Sequence, residues 1–216
     1  MFLAITALEE YWDKNKKIIF LGEWCKLYSK KAELKKINFI DVQHFWDKRQ
    51  ISDAIIYCES KYNIVLEALT KKLNSIHKIN KDKAYYNTVL GFWLHYYIHI
   101  LYDRYKCVNN AISQFESFDT ILLDESCFIH PADNDDFFDK VSNDYYNLQI
   151  FSQIIIFMGY KFQTKKIKLT NNEINIPLEK NLKDKAFDLI LKTLNLKNFF
   201  SLKKINIINP YFKYSK

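Results

Sequence analysis

Glycine and proline are scarce in this chain, with three of each in 216 residues. Folds built from many short strands need both residues at their tight turns, so a sandwich or barrel is disfavoured. No GxGxxG and no GxxxxGK[ST] loop occurs, which removes the usual backbone cradles for a dinucleotide or a nucleoside triphosphate. The four cysteines (Cys25, Cys58, Cys107 and Cys127) show no CxxC and no short spacing, so they read as reduced thiols packed as small apolar groups. Long apolar runs are also missing. Val89 to Leu101 covers about 13 residues, against the ~20 needed to span a bilayer. The apolar opening Met1 to Leu8 lacks a basic n-region and meets Glu9 and Glu10 at once, so it is not read as a signal peptide. The expected location is cytoplasmic, with at most peripheral contact at the inner face of a membrane.

What is present is apolar and basic. Hydrophobic residues make up 49% of the chain and aromatics 17%, enough for a sizeable core. The net charge of +7 gathers only in modest clusters at Lys26 to Lys36, Lys161 to Lys168 and Lys203 to Lys216. These read as solvated faces, so no nucleic-acid partner is expected.

Lys16 to Gly22 reads as a buried strand with Glu23-Trp24-Cys25 in the turn at its carboxyl end. Ile37 to Val42 suits a second strand, followed by His44 to Arg49 as a loop or helix start. Helical spacing runs through Ser52 to Ile76 and again through Ala84 to Cys107. Thr120 to Asp124 is a strand, and one helix is expected from the acidic residues Asp133 to Asp136 through to Phe157, ending at Gly159. A strand over Lys161 to Leu169, a helix over Leu182 to Leu194 and a strand-like Ile205 to Ile208 complete the pattern. Strands alternating with long helices predict an α/β fold: three layers, with a mainly parallel sheet flanked by the helices. Residues 1–160 form the expected core domain, with site loops at its strand ends. Residues 161–216 form a strand-helix-strand extension that ends abruptly, as if before a second domain.

Ligands in such folds bind beyond the carboxyl ends of strands, which directs attention to Glu23 to Cys25, His44 to Arg49 and Asp124 to Phe128. Asp124 and Glu125 follow a strand, where a general base would be well placed. Trp24 and Trp46 offer aromatic faces to a sugar ring. His95, His99 and Asp103 share one stripe of the second helix, each about 40° from the last. That helix is apolar nearly all round and is therefore expected to be buried, with its histidines hydrogen-bonded inside the core. The His95-x3-His99 spacing also matches a pair of metal ligands, but lacks the glutamate of HExxH. Arg104 suits either an ion pair, with the acidic loop at Asp124 among the choices, or a bidentate grip on phosphate.

Six segments follow one another in order: Ala7-Leu-Glu-Glu-x-Trp12, Leu21-Gly-Glu-Trp-Cys25, His44-x-Trp-Asp47, Leu90-Gly-x-Trp93 with His99-x-Leu-Tyr-Asp-Arg-Tyr105, Leu122-Leu-Asp-Glu-Ser126, and Asp144-Tyr-Tyr-Asn-Leu-Gln149. Together they resemble the amino-terminal part of a bacterial transferase family found in surface-carbohydrate gene clusters. Phe92 departs from it, standing where a proline is expected. The resemblance implies a longer protein whose second half binds the donor, in the manner of a two-domain GT-B-like glycosyltransferase. On this reading the chain is the acceptor-side half. The implied partners are a nucleotide-activated sugar donor and a carbohydrate or lipid-linked acceptor, with no other cofactor.

The expected reaction moves a sugar or sugar-like group to an acceptor hydroxyl. Glu23, Asp124 and Glu125 are the candidate catalytic residues, and Trp24, His44, Trp46, Arg49, His95, His99 and Arg104 the candidate binding residues. Two rivals stand beside it: a non-catalytic half or remnant that needs a partner chain, and a metal-dependent hydrolase built on His95, His99 and Asp103.

Overall fold

Five three-residue strands, all paired in parallel, lie behind helices up to ten times their length. The structure, a computed structural model, describes residues 1–167, so the expected helix at 182–194 and strand at 205–208 lie outside the described residues. In chain order the elements are β1 (Phe2–Ala4), β2 (Ile18–Phe20), α1 (Lys31–Leu34), β3 (Phe39–Asp41), α2 (Lys48–His77), α3 (Lys83–Gln114), β4 (Ile121–Leu123), α4 (Asn134–Val141), α5 (Asp144–Phe157) and β5 (Gln163–Lys165).

The strands form one ladder in the order β1-β2-β3 and a second of β4 with β5. Asp119, just ahead of β4, joins the two: it bridges to Phe2 in the parallel sense, accepting from Leu3 N at 2.7 Å and donating to Met1 O at 3.0 Å. The strands therefore succeed one another as β3-β2-β1-β4-β5, with the order reversing between β1 and β4. The α/β class and the parallel pairing agree with the sequence reading. β1 was not anticipated: its Phe-Leu-Ala sits in an apolar opening with no turn signal before it.

Phe2, Leu3, Ile18, Ile19 and Phe20 are fully buried and form the centre of the core. Leu148, Ile150, Phe151, Ile154 and Ile155 of α5 belong to the same buried cluster. It is apolar nearly all round because it packs between β4 and α3.

Local chemistry sets the helix boundaries. A capping box starts α2, with the Asp47 side chain accepting from Gln50 N (2.7 Å) and the Gln50 side chain accepting from Asp47 N (3.0 Å). Asp82 caps α3 through Tyr85 N. The single helix expected over 133–157 is two, because Asn143 caps α5 by accepting from Tyr145 N at 2.8 Å. Gly159, at φ 91°, ends the segment as expected.

At 1.5 Å per residue α2 and α3 each run to about 45 Å, whereas a three-residue strand covers about 10 Å. The hairpin they form must overhang the sheet. This corrects the expected burial of α3 on every side: its inner face is buried, but Val89, Phe92 and Tyr96 are exposed on the outer one, where Phe138 of α4 touches Phe92 and Tyr96 without covering them. Among the described residues no helix is long and apolar enough to cross a membrane.

Candidate active site at the strand ends

Just beyond β1 the chain's carbonyls need donors, and the two tryptophan segments supply them. Trp24 Nε1 donates to Ile5 O at 3.0 Å, and Trp12 Nε1 to Thr6 O at 2.9 Å. Cys25 Sγ lies 3.3 Å from Ala4 O and is buried, which pushes its thiol up to about 12 and leaves it no nucleophile. Gly22 makes room for the Trp24 ring, which would lie 2.2 Å from a Cβ at that position.

The Ala7 backbone N–H meets the Asp144 carboxylate at 3.5 Å, in the first turn of α5. Burial holds the Asp144 proton more tightly than usual; the Ala7 bond opposes this and nearby Glu10 adds to it. Tyr145 donates to Glu10 at 3.0 Å, fixing the β1 loop against the same helix. One turn along that face, Asn147 Oδ1 accepts from Arg104 Nε and Nη2, both at 3.2 Å.

Arg104 anchors a second group. Its Nη1 bonds Asp103, whose other oxygen accepts from Trp46 Nε1 at 3.1 Å. The guanidinium carbon lies 6.0 Å from the Trp24 ring and 5.8 Å from that of Phe151, within cation–π range. Among the described residues three of the five guanidinium N–H groups are engaged, and two remain that could meet an anion. Trp24, Trp46 and Arg104 come together as one connected cluster, and the pairing of Arg104 is with Asp103 and Asn147 rather than with the Asp124 loop.

The other candidates lie apart from it. Glu23 is on the surface, 2.7 Å from Lys26, which also bonds Asp41. Asp124 accepts from the backbone and hydroxyl of Ser126, bonds that hold its carboxyl below the ordinary range. Glu125 is exposed in the same turn. His44 and Arg49 are exposed near the end of β3, Arg49 at 3.9 Å from Asp53. The rings of His95 and His99 lie 4.5 Å apart and tilted along the hairpin, and His95 approaches Glu59 of α2 at 3.8 Å. The expectation of histidines hydrogen-bonded inside the core is corrected here: His95 is about half exposed, and His99 is only partly buried, which lowers its proton affinity. Among the described residues no three His, Cys, Asp or Glu side chains converge as metal ligands would.

A family model described as "LIC12162 family transferase" matches residues 1–216. The chain belongs to the LIC12162 family of transferases. No curated protein and no solved structure matches it.

In this LIC12162 family member, Asp144 and Asn147 are the site residues that sequence reasoning passed over. Both fall inside the quoted segment Asp144 to Gln149, and the signal was available: a capping asparagine followed by an acid at the start of an apolar helix after β4. A cavity of about 320 Å³ opens elsewhere, lined by Phe2, Lys16, Asp119 and Gln163. These lie at the amino ends of the strands, opposite the edge where folds of this kind hold ligands.

Proposed function

We propose that this chain is the acceptor-side half of a glycosyltransferase-like enzyme of surface-polysaccharide assembly, three-layered and paired with a donor-binding domain in a GT-B-like arrangement. It moves a sugar or sugar-like group from a nucleotide-activated donor to a hydroxyl of a carbohydrate or lipid-linked acceptor. The observation that carries this reading is the reversal of strand order between β1 and β4, with Asp144 of α5 at its carboxyl edge and Arg104 of α3 bonded to Asn147, one helical turn along α5 from Asp144. Crevices at such reversals are where open parallel sheets bind ligands.

In the proposed reaction Asp144 takes the proton of the acceptor hydroxyl. The freed oxygen bonds to the anomeric carbon as the carbon–oxygen bond to the donor phosphate breaks, and that electron pair leaves on the phosphate. A carboxyl with raised proton affinity is suited to the first step. The two N–H groups of Arg104 that no described residue engages are suited to the charge formed in the last. Trp24 supplies an aromatic face beside them, while Glu23 and Glu125 are assigned to the rim on either side. Asp124 is assigned to shaping its own loop.

The test is release of nucleoside diphosphate by the full-length enzyme from a panel of nucleotide sugars, with and without saccharide acceptors. Asp144→Asn should lower kcat roughly 10²–10⁴-fold with little change in KM. If Asp144→Asn keeps turnover while the Glu23→Ala/Asp124→Ala double variant loses it, the base belongs to the outer loops instead.

A further inference from the structure

The tip of the overhanging hairpin, from Lys71 to Lys83, carries five lysines (Lys71, Lys72, Lys78, Lys81 and Lys83) against one acid, Asp82. That acid is committed to the start of α3, where its carboxylate accepts from Tyr85 N at 2.8 Å. Only Lys71 of the five is ion-paired among the described residues, with Glu67 at 2.7 Å. Lys81 lies over the Tyr85 ring at 5.3 Å. Lys78 ends α2 at φ 54°, a left-handed position that favours glycine or asparagine. A lysine there gives up conformational ease and adds charge at the very turn of the hairpin.

Apolar side chains stand among these charges. Ile76 is 43% exposed and Ile79 41%, and Tyr85 and Val89 continue the exposed surface onto α3. We propose that this tip docks on a phospholipid surface bearing anionic headgroups. The lysines meet the headgroups and Ile76, Ile79 and Tyr85 enter the boundary below them. The aliphatic pair decides between lipid and nucleic acid, since isoleucine offers nothing to a phosphate backbone or a base edge, whereas an interfacial layer rewards its burial. Twenty-one residues of α3 separate Lys83 from Arg104, so a docked tip keeps the strand-end crevice within roughly 30 Å of the surface.

Sedimentation of the purified full chain with vesicles tests this. The vesicles are phosphatidylcholine alone, or phosphatidylcholine with about a third phosphatidylglycerol. Binding is expected to the anionic vesicles only and to weaken with salt. Lys71→Gln, Lys78→Gln and Lys81→Gln together should lower it roughly a hundredfold, about fivefold per lysine. Ile76→Ser with Ile79→Ser should remove the part that survives high salt. Lys31→Gln, Lys35→Gln and Lys36→Gln change the charge equally on another exposed segment and should bind as the parent does. All these positions are exposed or half-exposed, and circular dichroism checks that each variant is folded. Absence of binding, equal binding to neutral vesicles, or an equal loss in the control variant overturns the proposal. So does displacement from the vesicles by an RNA duplex at matched phosphate concentration, which would assign the tip to nucleic acid.

Discussion

The Trp24 ring lies across Gly22, so close that a methyl group on the glycine would sit 2.2 Å from it. The backbone at Gly22 is extended, at φ −170°, a conformation any residue adopts. The glycine is therefore there for space. Trp24 in turn holds Ile5 O at the end of β1 and stands beside Arg104, so the fit at Gly22 reaches the site directly. Gly22→Ala is expected to cost about 1–3 kcal/mol through overpacking. Chemical denaturation checks the magnitude. In a Trp24→Ala background the same substitution should cost almost nothing, which ties the loss to this one contact.

Arg104→Lys keeps the charge but loses the planar fork that binds Asn147 through two nitrogens and Asp103 through a third. The expected loss is about 1–3 kcal/mol of stability. Indole fluorescence should also change, because Trp46 shares Asp103 with the guanidinium. An unchanged unfolding midpoint in Arg104→Lys would mean that the cluster does not brace the strand ends.

Much of this arrangement was legible in the sequence. The apolar runs at 16–22, 37–42 and 120–124 each contain a strand, and the two long periodic segments are the two long helices. Trp24, Trp46 and Arg104 were all singled out and meet in one cluster. Two things were hidden. The first is the overhang: a helix with apolar residues on every side reads as buried, but periodicity says nothing about how far a helix outreaches its sheet. Val89, Phe92 and Tyr96 are exposed on the outer face of α3, and the lysines of the hairpin tip form no run in the sequence because Leu73 to His77 separate them. The second is the reversal of strand order, fixed by pairing between Met1 to Leu3 and Asp119, over a hundred residues apart.

Ser152 is fully buried on α5, accepting from Leu123 N at 2.9 Å and donating to Leu148 O at 2.7 Å. It supplies the acceptor for a β4 amide where the ladder provides none. Ser152→Ala leaves that N–H buried and unpaired, at an expected cost of about 1–3 kcal/mol. Thr88 makes a similar bond to Ala84 O on the exposed side of α3, and Thr88→Ala should stay within about 0.5 kcal/mol. Equal effects in the two variants would show that burial is not what gives Ser152 its weight.

Asp144 links the site to pH. Burial favours its protonated form, so its pKa in the folded chain lies above the unfolded value of 3.8. The folded state then binds the proton more tightly than the unfolded chain. The resulting stabilisation is full below the unfolded pKa and is lost as pH rises through the folded one. Glu9 runs the other way. Its bonds to Lys14 and Lys30 hold its carboxyl below the usual range, so its contribution is present above the unfolded value of 4.5 and is lost on acidification. Asp144→Asn should remove only the first dependence. An amide oxygen can still accept from Ala7 N, so the variant should be more stable than the parent at neutral pH, and the difference should shrink as the pH falls below the unfolded value. Unfolding curves of the two proteins across this range provide the measurement. A parent and variant that keep a constant difference would show that Asp144 titrates as an ordinary surface carboxylate, and would remove its claim to the proton-accepting role. A variant that gains stability while losing turnover is what is expected of a carboxylate kept in a costly position for chemistry.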